Sequence, residues 1–305
     1  MTDDINELPF GSPLVPELLD QDTKISFKCY PGISCFNACC KQSSIQLTPY
    51  DIIRLKTNLG MTSTEFLKEY TVPDTMDGHG MPSVKLKTMD ESPACKLMVE
   101  GEGCSVYEDR PTACRYYPVG LMNMKKKDEK EDEQHHFVVR EGHCKGHDEK
   151  NEITIAEYRK QQGVVEYDDI NRDWYRIILK KRSGGPSIGS LSDMSLQMFF
   201  MASYDVDRFR RFVLSEGFAN NYNVDADTIK SFENDDVALV QFGFKLMLQV
   251  FYGDKSIDEK DGAYNKRMEE RKEILEFRKE AELKEWKGKN DAYEIEQEKV
   301  EEEKK

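Results

Sequence analysis

Eight cysteines carry the chemistry available to this sequence: Cys29, Cys35, Cys39, Cys40, Cys95, Cys104, Cys114 and Cys144, with none after Cys144. Thiols gathered in this way serve as metal or cluster ligands, as a disulfide framework, or as a redox centre. A thiolate is a soft donor that suits zinc and iron–sulfur clusters. Four thiolates complete either a tetrahedral zinc site or a cubane cluster. This set therefore allows two such sites, or one site with spare structural thiols. The intervals from Cys29 to Cys40 are too irregular for a zinc finger, which favours paired C-x2–4-C spacing. Adjacent Cys39 and Cys40 are also awkward for a single ion, because successive side chains point apart. One would ligate while the other serves a second metal or packs. A larger cluster tolerates that geometry better, so the expectation is a [4Fe–4S]-type iron–sulfur cluster, with zinc as the alternative.

Charge near the thiols supports a metal. Arg110 and Arg115 flank Cys114, and Lys41 and Lys96 each follow a cysteine. Cations offset the negative charge of a thiolate-ligated cluster, so Arg110 and Arg115 are expected to be cofactor-binding. The plain alternative for each is a salt bridge with Glu108 or Asp109. Four histidines, His135, His136, His143 and His147, lie near Cys144. A histidine can replace a thiolate, but the cysteines already suffice, so these are expected at the surface or in the outer shell. His79, in a glycine-flanked loop, needs no role. No GxSxG, HExxH or dinucleotide fingerprint is present, and no catalytic residue is assigned. Cys144 with His143 or His147 is the nearest approach to a nucleophile with a base.

The opening MTDDINELPF is acidic and polar, unlike a secretory signal, so a cytoplasmic protein with reduced thiols is expected. No run of about 18 uncharged apolar residues exists, and no membrane association is expected. The most apolar stretch, Val237 to Tyr252, is interrupted by Gln241, Lys245 and Gln249. With 44 basic and 58 acidic residues the net charge is −14, which argues against nucleic acid as a partner. A chain of 305 residues can bury a core without covalent staples.

The elements that must position the thiols can be read in order. Residues 1–24 are a proline-dotted, irregular lead-in, and KCYPGISCFNACC is a turn-rich loop. Thr48, Pro49 and Asp51 open a helix that Gly60 stops, and Thr62 with Glu65 opens a second. This pair resembles a helix-turn-helix, but packing beside the cysteines is the better account of it. SVKLK at 83–87 is a short strand. Gly101 and Gly103 mark a turn between two more strands, and His135 to Arg140 returns as a strand to Cys144. The run KKKDEKEDE at 125–133 is a solvated loop. The second half is helical: Asp169 to Lys181, a flexible link KKRSGGPSIGS, a Met- and Phe-rich helix from Ser192 or Asp193, a helix opened by Asp205, and Val237 to Tyr252 closed by Gly253. In the helix after Asp205, Phe209, Phe212 and Val213 should face inward and Arg208, Arg210 and Arg211 mostly outward. Trp286, Tyr293 and Val300 recur every seven positions in a Lys- and Glu-rich tail, a charged helix with which a protein partner could form a coiled coil.

The expected fold class is α+β: a cysteine-cluster metal-binding domain at 25–150, a helical region at 151–253 and a charged tail at 254–305. The cysteine segments also resemble a known family. The C-x5-C-x3-CC opening, Leu47-Thr48 with Asp51 and Arg54-Leu55, and the run CSVYEDRPTACRYYP resemble the CxxCxxCC-type zinc- or iron-chelating cysteine-cluster family. Cys104, Tyr107, Arg110, Pro111, Cys114, Arg115, Tyr117 and Pro118 fall on its central motif. Cys144 and Gly146 fall on its closing C-x-G, and Cys95 on the cysteine before a glycine turn. The first two intervals are longer than in the compact form, which leaves open which thiols share a metal. The resemblance covers about residues 25–150. It implies an iron–sulfur or zinc site built from these cysteines, with Tyr107, Pro111 and Tyr117 shaping its surroundings. One relative in that family is the flagellin lysine N-methylase, so the resemblance also admits an S-adenosylmethionine-dependent methylase. No adenosylmethionine signature is visible in this chain.

Overall fold

The computed structural model describes residues 18–76, 80–124, 133–183 and 191–270, with scattered positions from there to 288. The first 17 residues of the lead-in, His79, residues 125–132 of the charged run, residues 184–190 of the link, and Trp286, Tyr293 and Val300 of the tail lie outside the described residues.

Strand β1 (Lys24–Ser26) leads through the first cysteine loop to a one-turn helix, α1 (Ala38–Lys41). Helices α2 (Pro49–Asn58) and α3 (Ser63–Tyr70) follow. Strands then pair off as antiparallel hairpins: β2 (Thr71–Thr75) with β3 (Pro82–Leu86), β4 (Thr88–Met89) with β5 (Ser92–Cys95), and β6 (Met98–Val99) with β7 (Gly103–Cys104). A 3-10 turn at Tyr107–Asp109 precedes α4 (Thr112–Tyr116), and β8 (Val119–Met124) pairs with β9 (Glu133–Val138). After a second 3-10 turn at Gly146–Asp148, β10 (Glu152–Thr154) returns to β1 and sets Ile153 opposite Ile25. Helices α5 (Ile155–Gln162), α6 (Val164–Ser183), α7 (Asp193–Tyr204) and α8 (Val206–Val213) come next. The chain continues through α9 (Glu216–Ala219), β11 (Tyr222–Asn223), α10 (Ala226–Ser231), α11 (Asp236–Tyr252), β12 (Asp258–Glu259) and α12 (Ala263–Glu270). The fold is α+β.

The chain forms two compact units. The larger runs to Leu214, resumes over Asp225–Ser256, and holds every cysteine. The smaller comprises Ser215–Val224 and the residues from Ile257 onward. In the smaller unit β11 pairs with β12, Phe218 stacks on Tyr222 at 4.7 Å, and the Lys260 amide donates to the Asn221 carbonyl at 3.0 Å.

Local signals set most helix ends. Thr48 Oγ1 accepts from the Asp51 amide at 3.3 Å while Asp51 Oδ2 accepts from the Thr48 amide at 2.8 Å, so α2 starts on a reciprocal cap with Pro49 in its first turn. Thr62 and Glu65 repeat the arrangement on α3. Gly253, at φ +76°, ends α11 in the left-handed conformation. The expected helix over 169–181 is longer, because Gly163 closes α5 in the left-handed region and buried Val164 opens α6 immediately. On α8, Phe209 and Val213 are buried, whereas Phe212 is half-buried; Arg208 and Arg211 are exposed. Arg210 turns partly inward, donating to the Phe232 carbonyl at 2.7 Å and pairing with Asp207 and Asp236.

The helical layer supplies the main core. α11 packs on α6, α7, α8 and α2, burying Leu239, Val240, Phe244 and Met247 with Trp174, Ile177, Phe199 and Phe209. Each such side chain contributes about 1.5–3 kcal/mol on burial, against roughly 0–1 kcal/mol for an exposed ion pair. Apolar packing of this layer therefore outweighs the chain's surface charges. A second cluster lies under the cysteine loops, where Ile25, Phe27, Tyr116, Val138, Ile153 and Tyr158 pack together and Cys144 rests against them.

Beside this second cluster Tyr116 Oη donates to Asp168 at 2.5 Å and Arg159 pairs with the same carboxylate at 2.8 Å. His136, on β9, is fully buried, and both of its ring nitrogens lack a hydrogen-bond partner. Burial, reinforced by the charge of Arg159, pushes its pKa down to about 4. Well above pH 6.5 neither folded nor unfolded state holds this proton, and stability is full. As pH falls from 6.5 toward 4 the unfolded chain takes up a proton that the folded chain refuses, and on the order of 3 kcal/mol of stability is lost. Urea unfolding of wild type and His136→Phe at pH 7 and pH 5 checks this. The wild type is expected to lose about 2 kcal/mol more than the variant over that step; equal losses would show that His136 is not the acid-sensitive group.

Candidate metal centre

Backbone contacts bring three separated stretches together. In the first, successive turns (Phe36 amide to Ile33 carbonyl, 2.9 Å; Ala38 amide to Cys35 carbonyl, 2.9 Å) and a left-handed Asn37 at φ 64° start α1, which carries Cys39 and Cys40. α1 packs against β5, whose last residue is Cys95, and the Ser43 amide donates to the Pro93 carbonyl at 3.2 Å. The β6–β7 turn presses on the same loop. Gly103 adopts φ +110°, and a Cβ there would meet the Phe36 ring at 3.3 Å and Asn37 Oδ1 at 3.4 Å. Only glycine allows both the conformation and this approach, which delivers the adjacent Cys104.

Cys114 is set by α4, and α4 is tied to α2 through one carboxylate. Asp51 is fully buried; besides capping α2, its Oδ1 accepts from the Thr112 amide at 2.8 Å and from Thr112 Oγ1 at 2.7 Å. Asn171 on α6 adds a hook, donating to Thr48 Oγ1 at 3.1 Å and accepting from the Tyr50 amide at 3.2 Å. The third stretch lies on the first. The Lys28 amide donates to the Gly146 carbonyl at 3.1 Å, and the Lys145 amide donates to Cys35 Sγ at 3.2 Å. A Cβ on Gly146 would sit 2.6 Å from the Phe27 ring, so the closing C-x-G needs its glycine for this contact.

The thiols feel one another. Burial, then the charges of Cys39, Cys35 and Cys144, push Cys29 up to about 11, with Arg110 opposing. Cys40 is raised by its hydrogen bond with Cys39, by burial, and by Cys39, Cys114 and Cys95. Cys114 is raised by burial and by Cys95, Cys104, Asp51 and Cys39. Cys39 alone is drawn down, because Cys40 donates to it. Burial lifts Cys95 and Cys104, against amide hydrogen bonds from Leu97 and Met98 to the former and from Val106 to the latter.

The two arginines differ. Arg110 donates to the Tyr107 carbonyl at 2.7 Å and to Gln162 Oε1 at 2.6 Å, and lies 4.1 Å from the Tyr107 ring centroid. Its charge reaches Cys29 and Cys104 and favours their thiolates. Arg115 donates to the carbonyls of Arg110 (3.0 Å), Gln162 (2.7 Å) and Glu108, and packs on Tyr167. Among the described residues neither arginine pairs with Glu108 or Asp109; Asp109 is taken by Arg54 and Asn58. Tyr107 is exposed, Pro111 occupies the N-cap position of α4, and the buried Tyr117 hydroxyl lies beside Cys144 and Glu141. His147 Nε2 lies 3.1 Å from the Val139 carbonyl, His143 faces Glu141 at 3.6 Å, and His136 is in the core.

The donor set fits a thiolate-bound metal. All eight cysteines are free, with Cys29 and Cys39 exposed and the rest half-buried. They sit within one another's electrostatic reach, and amides and Arg110 lie alongside. Among the described residues no three His, Cys, Asp or Glu side chains close on a point that would hold a single ion. The second tie made by Asp51, and the parts played by Thr112, Gln162 and Asn171, were not visible in sequence. Each depends on a partner more than 45 residues away, beyond any local pattern.

Comparison with known proteins gives one match. Residues 28–145 fit the family model CxxCxxCC, described as "Putative zinc- or iron-chelating domain". No curated protein and no solved structure matches the chain. The matched segment spans all eight cysteines and both arginines, and the description assigns it a metal-binding, zinc- or iron-chelating role.

Removing the Asp51 carboxylate isolates its structural share. Asp51→Ala strips a reciprocal cap from α2 and leaves the buried Thr112 amide and hydroxyl without an acceptor. It is expected to cost about 2–4 kcal/mol in urea unfolding of the full chain. A loss below about 1 kcal/mol, the scale of an ordinary cap, would show that α4 does not depend on this tie.

Proposed function

From the premise that residues 28–145 belong to the CxxCxxCC family of zinc- or iron-chelating domains, we propose that this protein holds a [4Fe–4S]-type iron–sulfur cluster and acts in electron transfer or redox sensing. The observation that carries the proposal is the assembly of free thiols from three separated stretches of the chain. The amides and Arg110 beside the sulfurs suit the net negative charge that a thiolate-bound cubane would carry. Cys29, Cys35, Cys39, Cys40, Cys95, Cys104, Cys114 and Cys144 are the candidate ligands, of which one cubane would take four.

The bound cluster supplies a redox couple; the chain's own residues tune and expose it. The Lys145 amide on Cys35, those of Leu97 and Met98 on Cys95, and that of Val106 on Cys104 lower the charge density on sulfur. Arg110 adds a fixed positive charge beside Cys29 and Cys104. Exposed Cys29 and Cys39 leave one side of the centre at the surface, where an electron partner has access. Free thiols throughout suit a reducing compartment such as the cytoplasm.

Anaerobic isolation followed by iron, sulfide and zinc analysis tests the reading. Brown protein with iron and acid-labile sulfide in equal amounts, and visible absorption that bleaches on chemical reduction, is expected. A colourless, zinc-loaded protein would replace the cluster with a structural or storage zinc site. Cys114→Ser is expected to weaken metal retention by more than the ~10–100-fold that loss of an outer-shell partner costs, and to lower unfolding stability with it. A fully loaded, equally stable Cys114→Ser protein would remove that thiol from the ligand set.

A further inference from the structure

The eight thiols are not one evenly mixed group. The contacts that assemble them are of two kinds. The loop after β1 is joined to the 144–146 turn by the Lys28–Gly146 and Lys145–Cys35 hydrogen bonds, which set Cys29 and Cys35 beside Cys144. Cys39 faces the same turn, for Glu141 acts on it, and the Glu141 carbonyl accepts from the Cys144 amide at 2.9 Å. On the other side, α1 packs on β5, the Gly103 turn seats on Phe36 and Asn37, and α4 follows from the Asp51 tie. These contacts set Cys40 beside Cys95, Cys104 and Cys114. The electrostatic neighbours divide in the same way. Cys29 is acted on by Cys39, Cys35 and Cys144, and Cys40 by Cys39, Cys114 and Cys95; Cys39, at the border, also acts on Cys104 and Cys114.

We infer that the cysteines form two adjacent four-thiol metal sites, one of Cys29, Cys35, Cys39 and Cys144 and the other of Cys40, Cys95, Cys104 and Cys114. The Cys39–Cys40 peptide is their border and Arg110, which acts on Cys29 of one and Cys104 of the other, their shared cation. The two sets meet at these adjacent cysteines, where Cys40 donates to Cys39. Four thiolates per site satisfy a tetrahedral ion or a cubane equally. The inference rests on the metal-binding reading, and it assigns the ligands whichever metal is native.

The test uses the full chain, reduced and stripped of metal under anaerobic conditions, with Co²⁺ and Zn²⁺ as probes. Titration with Co²⁺ is expected to saturate at two equivalents per chain with thiolate-to-cobalt charge-transfer absorption. Cys104→Ser and Cys144→Ser are each expected to retain one equivalent. Alkylation of the wild-type chain at one equivalent of Zn²⁺ needs no variant and so is independent of any folding defect. Protected thiols should appear in blocks that match the two sets, with fragmentation of the Cys39–Cys40 peptide showing one protected and the other modified. Saturation at one equivalent, or Cys39 and Cys40 protected together in a single block, overturns the partition while leaving metal binding intact. Absence of any cobalt–thiolate absorption overturns the metal-binding reading itself.

Discussion

Crowding of ionisable sulfur is the constraint on which the rest of this structure depends. Burial first holds Cys29, Cys95, Cys104 and Cys114 above the ordinary thiol range, a hydrogen bond to Cys39 and then burial do so for Cys40, and each thiolate formed nearby adds to the cost. Left without a positive centre, the group must stay largely protonated. A bound cation removes that penalty by exchanging protons for metal, so affinity for metal and resistance to ionisation are two faces of one arrangement.

Gathering the thiols requires a scaffold that the loops cannot supply themselves. The strands around them are two to six residues long, and among the described residues each sheet has two strands. Isolated two-stranded pairs are marginal in water. The rigidity comes from the helical layer. Leu239, Val240 and Phe244 on α11 buttress α2, α6 and α7; α2 presents Asp51; Asp51 holds α4; and α4 presents Cys114. A candidate ligand, Cys114, is thereby positioned by apolar packing through a single carboxylate. The helical second half is thus part of the metal site's architecture although it contributes no thiol.

What was legible in the sequence were the features encoded by neighbours in the chain. Thr48 with Asp51, Thr62 with Glu65, the alternation in SVKLK, the turn at Gly101–Gly103 and the stop at Gly253 all act within a few residues, and each appears where its local chemistry places it. The metal-binding segment was legible for the same reason: thiols are rare, and their spacing is itself a signal. Long-range pairings were not. Nothing near Ile25 announces that β10 will pair with β1, and nothing near Asp51 announces Thr112. The helix ending at Lys181 in the sequence reading began too late, because a left-handed Gly163 can separate two helices without a loop between them. The arginines were legible as charges near sulfur, but whether a guanidinium faces a thiol or a carbonyl depends on tertiary contacts.

Those arginines show how an acidic chain keeps positive charge where it is useful. With a net charge of −14, carboxylates are abundant, and Asp109 stands next to Arg110 in the sequence. Yet Asp109 is occupied by Arg54 and Asn58, while Arg110 and Arg115 are bound through neutral carbonyls, Gln162 and aromatic rings. The planar guanidinium, with five donors, can be fully hydrogen-bonded by neutral oxygens in a way that a lysine ammonium cannot match with the same rigidity. Neutral partners anchor the side chain without cancelling its charge. Arg115 uses this to pin the turn before α4, since its donors hold the carbonyls of Glu108 and Arg110. Arg110, anchored by the same means, keeps its field free to act on Cys29 and Cys104. Had Arg110 been paired with a carboxylate, the local charge would have summed to nearly zero and Cys29 and Cys104 would have lost that counterweight.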